Sequence, residues 1–256
     1  MSLQFIIGNS GAGKSYAAYQ NVIREASRKP TNMYYVIVPE QFTMQTQKTL
    51  VEMHPQKGIL NIDVLSFERL AYRIFEEVGG DTRKILEETG KNMVLQKLVQ
   101  MNRKNLVYLK NQMKKPGYLD EVKSLISEFM QYEVHEEEMD KMINDAEGKP
   151  LLQMKLKDVS VLYQAFREYL SDHFMTSEEV LEVLAKEIPF SQKLRGSTVI
   201  LDGYTGFTPV QHTVIRELLA VCKKVSVTVT MDVREELLAK GKPHELFYMS
   251  HKMIRS

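Results

Sequence analysis

A glycine-rich run near the N-terminus has the residue types and spacing of a phosphate-binding loop. It reads Gly8-Asn9-Ser10-Gly11-Ala12-Gly13-Lys14-Ser15, which is the Walker A pattern. Glycines allow successive backbone N–H groups to converge on phosphate oxygens, and a helix starting there adds the positive end of its dipole. In such a loop Lys14 reaches the β and γ phosphates, and the Ser15 hydroxyl ligates Mg²⁺. The run therefore predicts a site for ATP with Mg²⁺, with Lys14 serving both binding and catalysis.

The residues around this loop have the local structure that such a site needs. The apolar run from Leu3 to Ile7 predicts a strand before it, and Ala17, Ala18 and Val22 indicate a helix after it. The alternative interpretation is a glycine-rich turn with an incidental lysine. The order of strand, loop and helix favours the phosphate site.

A second component of an ATP site is an acidic residue at the end of another buried strand. Asp202 directly follows the apolar run Thr198 to Leu201 and is the candidate for holding Mg²⁺ and for a catalytic role. An aspartate that only caps the following turn is the alternative. Many P-loop ATPases carry a glutamate next, which orients the attacking water, whereas this chain has Gly203. We therefore expect ATP binding with weak or absent hydrolysis.

The elements that must position these residues form an α/β pattern interrupted by a helical block. From about Thr82 to Pro189 strand signals give way to helical periodicity, with breaks at Pro116-Gly117, Gly148-Lys149-Pro150 and near His173. The pattern predicts a P-loop NTPase (RecA-like) fold, a parallel sheet with helices on both faces and a large all-helical insertion. Residues 1–80 and 195–256 would form the core and residues 81–194 the insertion. The predicted strands are Leu3 to Ile7, Tyr34 to Val38, Ile62 to Leu65, Thr198 to Leu201 and Val225 to Thr230.

The charge of the chain is balanced overall but uneven along its length. The formal net charge is +1, which is no global signature of nucleic-acid binding. The stretch from Thr89 to Leu119, however, has basic residues and no acidic ones, and with Tyr108 and Tyr118 it is a candidate contact to DNA phosphates. A solvated, lysine-rich helix face is the alternative. The basic residues are Lys91, Lys97, Arg103, Lys104, Lys110, Lys114 and Lys115.

The composition excludes several other classes of protein. With 43% hydrophobic and 26% charged residues the chain should bury a core. No apolar run approaches the roughly 18 residues of a membrane span, and no signal peptide is evident, so we expect a cytoplasmic protein without membrane contact. Cys222 is the only cysteine and is interpreted as a small core residue.

With these residues placed, the chain resembles the N-terminal part of the B subunit of the AddAB-type bacterial helicase-nuclease, a relative of the UvrD-like superfamily 1 helicases. The resemblance extends over essentially the whole chain. It is based on six segments of the sequence. These are Phe5 to Ser15, Val38-Pro39-Glu40-Gln41-Phe42-Thr43, Val64-Leu65-Ser66-Phe67, Leu70-Ala71, Gly79-Gly80 and Leu201 to Pro209.

The resemblance implies a role in DNA double-strand-break repair and recombination. It implies a heterodimer with an A subunit, and contacts to single- and double-stranded DNA. A nuclease domain with an iron–sulfur cluster is implied only for a C-terminal region that this chain lacks, so we expect the chain to be part of a longer protein. Gln41, Phe42 and Thr43 lie just beyond the second strand, where related helicases touch single-stranded DNA, although Phe42 could instead be a core residue.

Departures from the helicase pattern reinforce the expectation of poor hydrolysis. Gly203 and Thr205 stand in place of a glutamate and a glutamine, whereas Gln211 falls at a further glutamine of the pattern. After the last predicted strand, Asp232-Val233-Arg234-Glu235 stands where these helicases carry a glutamine that senses the γ-phosphate. The arginine that neutralises transition-state charge normally comes from a second motor domain.

Two other functions stay open at this point. A small nucleoside or nucleotide kinase also begins with a P-loop, but it needs an arginine-rich lid over the phosphates, and none stands out in this sequence. A scaffold with a vestigial P-loop is the other alternative.

Overall fold

The computed structural model describes residues 2–79, 83–112, 115, 117–171 and 174–255. Predicted features at Gly80, Thr82, Lys114, Pro116 and His173 lie outside the described residues. The chain folds into two compact units. One unit comprises Met1–Gly80 with Leu181–Ser256, and the other is Asp81–Val180. Residues 181–194, which were predicted to belong to the helical insertion, thus group with the sheet.

The elements follow one another along the chain as alternating strands and helices, then a run of helices, then strands and helices again. The strands are β1 (Leu3–Gly8), β2 (Tyr34–Ile37), β3 (Ile62–Leu65), β4 (Lys84–Ile85), β5 (Phe174–Met175), β6 (Thr198–Leu201) and β7 (Lys224–Thr230). The α-helices are α1 (Lys14–Arg28), α2 (Thr43–Met53), α3 (Phe67–Val78), α4 (Glu88–Met101), α5 (Leu109–Gln112), α6 (Tyr118–Gln131), α7 (Glu136–Asp145), α8 (Pro150–Ser171), α9 (Ser177–Glu187), α10 (Pro209–Val221) and α11 (Tyr248–Arg255).

Five strands form one sheet in the order β1-β7-β6-β2-β3, and every neighbouring pair is parallel. Ile37 pairs with Leu201, and Leu201 pairs with Val227, so the strands end at a common edge. All residues of β2 and β6 are buried, as expected for central parallel strands made of continuous apolar runs. The sheet therefore gathers the residues that follow each strand along one edge of the unit.

Helices flank this sheet. On one face α1 and α2 pack over Val36, Val64 and Ile200. Tyr35 and Val199, which alternate with these residues along β2 and β6, are buried as well. Helix α3 contacts β3, and α10 contacts β7. The predicted α/β architecture with a parallel sheet is confirmed, and all five predicted strands occur within one residue of their expected bounds.

The helical unit has its own core, formed mainly between α4, α6 and α8. Leu95, Ile126, Leu162 and Phe166 are among its fully buried side chains. The expectation of an all-helical insertion was wrong in one respect, because β4 and β5 form a short parallel ladder in this unit. Strands of two residues are too short to produce a recognisable alternating pattern.

Local signals in the sequence correspond to observed helix ends. Ser66 caps α3 by accepting a hydrogen bond of 3.3 Å from the Arg69 backbone N–H, and α3 ends at Gly79 in a left-handed conformation. Cys222 is buried and free, as predicted. Within the described ranges, no helix combines the length and apolarity that crossing a membrane requires.

Candidate nucleotide-binding site

The glycine-rich loop joins the end of β1 to the start of α1. Gly11 and Gly13 both have positive φ angles, 75° and 82°, where a side chain would strain the backbone. A Cβ atom on Gly8 would come 3.2 Å from the Ala12 Cβ, closer than a side chain easily fits. Gly13, the residue that caps α1, has no side chain that could accept a hydrogen bond from the first N–H groups of the helix. The loop has the geometry of an anion site at a helix N-terminus.

Lys14 folds back over this loop. Its ammonium group donates a hydrogen bond of 2.9 Å to the Asn9 carbonyl and is exposed. That carbonyl also accepts a bond of 3.1 Å from the Ala12 N–H, which closes the turn. The lysine charge is therefore held at the mouth of the loop by an acceptor that an incoming phosphate could replace.

Asp202 lies just beyond β6 and is 4% exposed. Its Oδ1 accepts hydrogen bonds from the hydroxyls of Ser15, at 2.9 Å, and Thr228, at 2.5 Å. Its Oδ2 accepts a bond of 2.5 Å from the Tyr19 hydroxyl. A buried carboxylate requires such donors, and here they come from α1 on one side and β7 on the other. Ser15 and Asp202, both identified from the sequence, are thus in direct contact.

Tyr19 and Thr228 are site residues that the sequence pattern did not reveal. Tyr19 is four residues after Ser15 and therefore lies on the same face of α1. Burial, the negative charge of Asp202 and the hydrogen bond to it all raise the pKa of Tyr19 far above its ordinary value. The phenol is a permanent donor to Asp202. The helical spacing from Ser15 was the only available signal, and it requires knowing which face of α1 is buried.

The loop after Asp202 is fixed by its backbone and by aromatic contacts. Gly203 has a φ of 81°, and Tyr204 and Phe207 pack with Phe67 at ring-centroid distances of 5.5 and 6.5 Å. Gln211 takes part in the cap of α10, because its side chain accepts a bond of 3.0 Å from the backbone N–H of the cap residue Thr208. Its side-chain oxygen is therefore used at the start of α10.

The three candidate DNA-contact residues differ in their surroundings. Gln41 and Phe42 are exposed at the start of α2, with 49% of Phe42 accessible, so Phe42 is not a core residue. Thr43 is buried, and its hydroxyl donates a bond of 2.9 Å to the Glu40 carbonyl. Gln41 and Phe42 can meet a ligand, whereas the Thr43 hydroxyl is occupied within the chain.

The basic residues of the helical unit also differ in their surroundings. Lys91 is buried and forms an ion pair of 2.9 Å with Glu88, and the hydroxyls of Tyr108 and Tyr118 lie 3.2 Å apart. Lys97 lies over the Tyr169 ring. The exposed basic side chains Arg103, Lys104 and Lys110 line one surface depression.

The residues around Asp202 also bear on metal binding. Among the residues that the structure describes, no group of three or more His, Cys, Asp or Glu side chains could hold a metal ion. The Ser15 hydroxyl and the Asp202 carboxylate nevertheless supply the oxygen ligands that Mg²⁺ prefers. These residues fit a cation that takes its remaining ligands from nucleotide phosphates and water.

Fold and site together define an α/β protein whose helix-flanked parallel sheet joins a glycine-rich loop to a buried aspartate. The family model described as "ADDB, N-terminal" matches residues 5–256, and the chain belongs to this family. It is 50% identical over 99% of its length to the B subunit of the ATP-dependent helicase/deoxyribonuclease of Lachnoclostridium phytofermentans. The B subunits of the same name from Alkaliphilus metalliredigens and Alkaliphilus oremlandii are each 34% identical over 98% of the chain. The chain spans 22% of the length of each of these three relatives. The resemblance inferred from the sequence is confirmed.

Proposed function

We propose that this chain is the ATP-binding region of a helicase-nuclease subunit that acts in DNA double-strand-break repair and recombination. The observation that carries the proposal is the 2.9 Å hydrogen bond between Ser15, at the end of the glycine-rich loop, and Asp202, at the end of β6. A loop for phosphate and a carboxylate for its cation are needed together in a nucleotide site of the P-loop NTPase type. The names of the relatives support an ATP-dependent enzyme.

The phosphates would lie against the loop from Gly8 to Ser15. The uncapped N–H groups of α1 and the positive end of its dipole favour negative charge there. Lys14 would exchange its bond to the Asn9 carbonyl for phosphate oxygens. Ser15 and Asp202 would hold Mg²⁺, which supplies charge neutralisation to the phosphates.

Hydrolysis by this chain should be weak or absent. The glutamate that orients water in many P-loop ATPases is replaced by Gly203, whose φ of 81° disfavours any side chain. An arginine from a second motor domain would also be needed to neutralise transition-state charge. The chain itself would therefore bind ATP and leave turnover to residues supplied elsewhere.

DNA and an A subunit are the partners that we propose. Gln41 and Phe42 are exposed beside the end of β2, and an exposed aromatic ring suits stacking on a base. Arg103, Lys104 and Lys110 offer charge to a phosphate backbone in the helical unit. An iron–sulfur cluster and nuclease activity would belong to the remainder of a longer protein.

Calorimetric titration with ATP in the presence of Mg²⁺ tests the nucleotide proposal. We expect saturable binding that is abolished in Lys14→Ala and retained in Lys48→Ala, which removes an exposed lysine from α2. The absence of ATP binding would favour a scaffold with a vestigial loop. Rapid phosphoryl transfer to nucleosides would favour a kinase.

A further inference from the structure

The segment after β7 leaves the sheet directly beside the glycine-rich loop. Thr230, the last residue of β7, pairs with Gly8, the last residue of β1. The Met231 N–H then donates a hydrogen bond of 3.1 Å to the Gly8 carbonyl. Asp232, the next residue, therefore emerges next to the start of the loop.

Asp232 holds the side chain of Arg234 in a two-point ion pair. The Arg234 Nε and Nη2 atoms donate to the two carboxylate oxygens at 3.1 and 2.7 Å, and the Arg234 backbone N–H adds a bond of 2.9 Å. The Asp232 side chain is 17% exposed, whereas that of Arg234 is 86% exposed. A guanidinium group has five N–H donors, so donors on Nη1 point away from the pair and face solvent. The ion pair therefore fixes the position of the guanidinium group and leaves its Nη1 donors for another acceptor.

The pairing of β7 with β1 brings this ion pair to the loop, since the residue before Asp232 is bonded to Gly8. Hydrogen bonds from the Arg234 side chain and backbone, with a further contribution from the Asn9 side chain, hold the pKa of Asp232 well below its ordinary range. The carbonyl of the same Asn9 accepts the bond from the Lys14 ammonium group. Because β7 lies between β1, which ends at the loop, and β6, which ends just before Asp202, the segment with Asp232 and Arg234 follows the strand between the loop and the proposed metal ligand. A terminal phosphate bound by Lys14 and Mg²⁺ would lie at this edge of the sheet.

We propose that Arg234, held by Asp232, contacts the terminal phosphate of a bound nucleoside triphosphate and makes the site prefer a triphosphate to a diphosphate. This inference rests on the proposed function. The donors that Arg234 does not use for Asp232, on Nη1, can bind phosphate oxygens, and the fixed position of the guanidinium limits the entropy lost on binding. The chain would thereby distinguish a triphosphate from a diphosphate with a residue of its own, independently of any arginine from a second domain.

The test compares affinities for a non-hydrolysable ATP analogue and for ADP, both with Mg²⁺, by calorimetry on the whole chain. In Arg234→Ala we expect triphosphate affinity to fall at least about tenfold while ADP affinity stays within about twofold. Arg234→Lys should recover part of the preference, because lysine keeps the charge and loses the fork. Asp232→Asn, which weakens the hold on Arg234, should give an intermediate loss. Arg216→Ala is the matched control, since Arg216 is also exposed and pairs with a neighbouring acidic residue.

The outcomes separate this inference from the proposed function. If the unaltered chain binds both nucleotides and Arg234→Ala leaves their affinity ratio unchanged, the inference is wrong and the nucleotide site stands. An equal loss for both nucleotides would also overturn it, because Arg234 would then only support the loop. If the unaltered chain binds neither nucleotide, the proposed function fails, and this inference fails with it.

Discussion

The Tyr19 hydroxyl donates a 2.5 Å hydrogen bond to Oδ2 of Asp202, which joins the first helix of the sheet unit to the end of a central strand. The other carboxylate oxygen accepts from Ser15 and Thr228. The aspartate that we assign to the metal is therefore oriented by hydroxyl groups from two elements before any ligand arrives. We therefore expect both the stability of the protein and its binding of Mg²⁺ to respond to changes in these hydrogen bonds.

Tyr19→Phe should destabilise the protein. The variant keeps the ring but removes one donor from a carboxylate that is 4% exposed, which should cost about 1–3 kcal/mol in the free energy of unfolding. Urea denaturation measures this cost. The control is Tyr16→Phe, because Tyr16 lies on the same helix, is exposed, and its hydroxyl accepts a hydrogen bond from the exposed Gln20 side chain. Equal stability of the two variants would contradict the structural role of Tyr19.

Asp202→Asn should remove the Mg²⁺ dependence of ATP binding. In the unaltered chain we expect Mg²⁺ to tighten ATP binding, because the cation would bridge the phosphates, Ser15 and Asp202. An amide in place of the carboxylate keeps the shape and loses the charge. Asp63→Asn, in β3 of the same sheet and paired with Arg73, should leave the Mg²⁺ effect unchanged. Mg²⁺ dependence that persisted in Asp202→Asn would exclude this residue from the metal site.

Gly203→Glu should fail to restore ATP hydrolysis even though it reproduces the glutamate of related ATPases. Any side chain at a φ of 81° strains the backbone, and we expect a loss of about 1–3 kcal/mol in stability. Steady-state phosphate release and thermal unfolding measure the two effects. Gly58→Ala is the matched control, since Gly58 has ordinary φ and open surroundings. Brisk turnover in Gly203→Glu would show that the glutamate alone was missing.

Asp158→Asn should loosen the loop that precedes α5 in the helical unit. The Asp158 carboxylate is 1% exposed and accepts hydrogen bonds from the backbone N–H groups of Val107, Tyr108 and Leu109, at 2.7 to 3.1 Å. Each such bond to a charged group contributes about 1.5–3 kcal/mol. Hydrogen exchange of these three amides should accelerate, whereas Asp120→Asn, at an exposed site, should leave them protected.

Glu77 should make stability depend on pH in the acid range. Burial by itself raises the pKa of Glu77, but bonds from the Ser191 hydroxyl and the N–H groups of Lys193 and Gln192 outweigh it and lower the pKa below its ordinary value of 4.5. A lowered pKa means that the stabilisation is fully present above pH 4.5 and is lost as the pH falls through the folded-state pKa.

Chemical denaturation between pH 7 and pH 3 measures this dependence. In Glu77→Gln the decline over this range should be smaller, because the titrating group is gone. Glu52→Gln provides a control at an exposed residue of α2. An unchanged acid profile in Glu77→Gln would exclude Glu77 as a source of the pH dependence.

The fold was predictable to the extent that its signals were local. The strands at Ile62–Leu65 and Thr198–Leu201 are short, rich in Val, Ile and Leu, and bounded by polar residues, so their bounds could be read directly. The two-residue strands β4 and β5 could not, because pairing between distant segments defines them. The burial of Asp158 was likewise unpredictable, since its acceptor role depends on backbone groups about 50 residues away.

By itself the sequence determined the glycine-rich loop, because every residue it needs lies within Gly8–Ser15 and glycine conformations are a local property. It also identified Asp202 as a strand-end carboxylate. Only the tertiary structure decided which groups surround that carboxylate, since Tyr19 is 183 residues away from it along the chain. The same holds for Asp232 and its partner Arg234, because the pairing of β1 with β7 brings the segment after β7 to the start of the loop. Parallel strands bring distant residues to a common edge, and which side chains meet there is set by strand order and register.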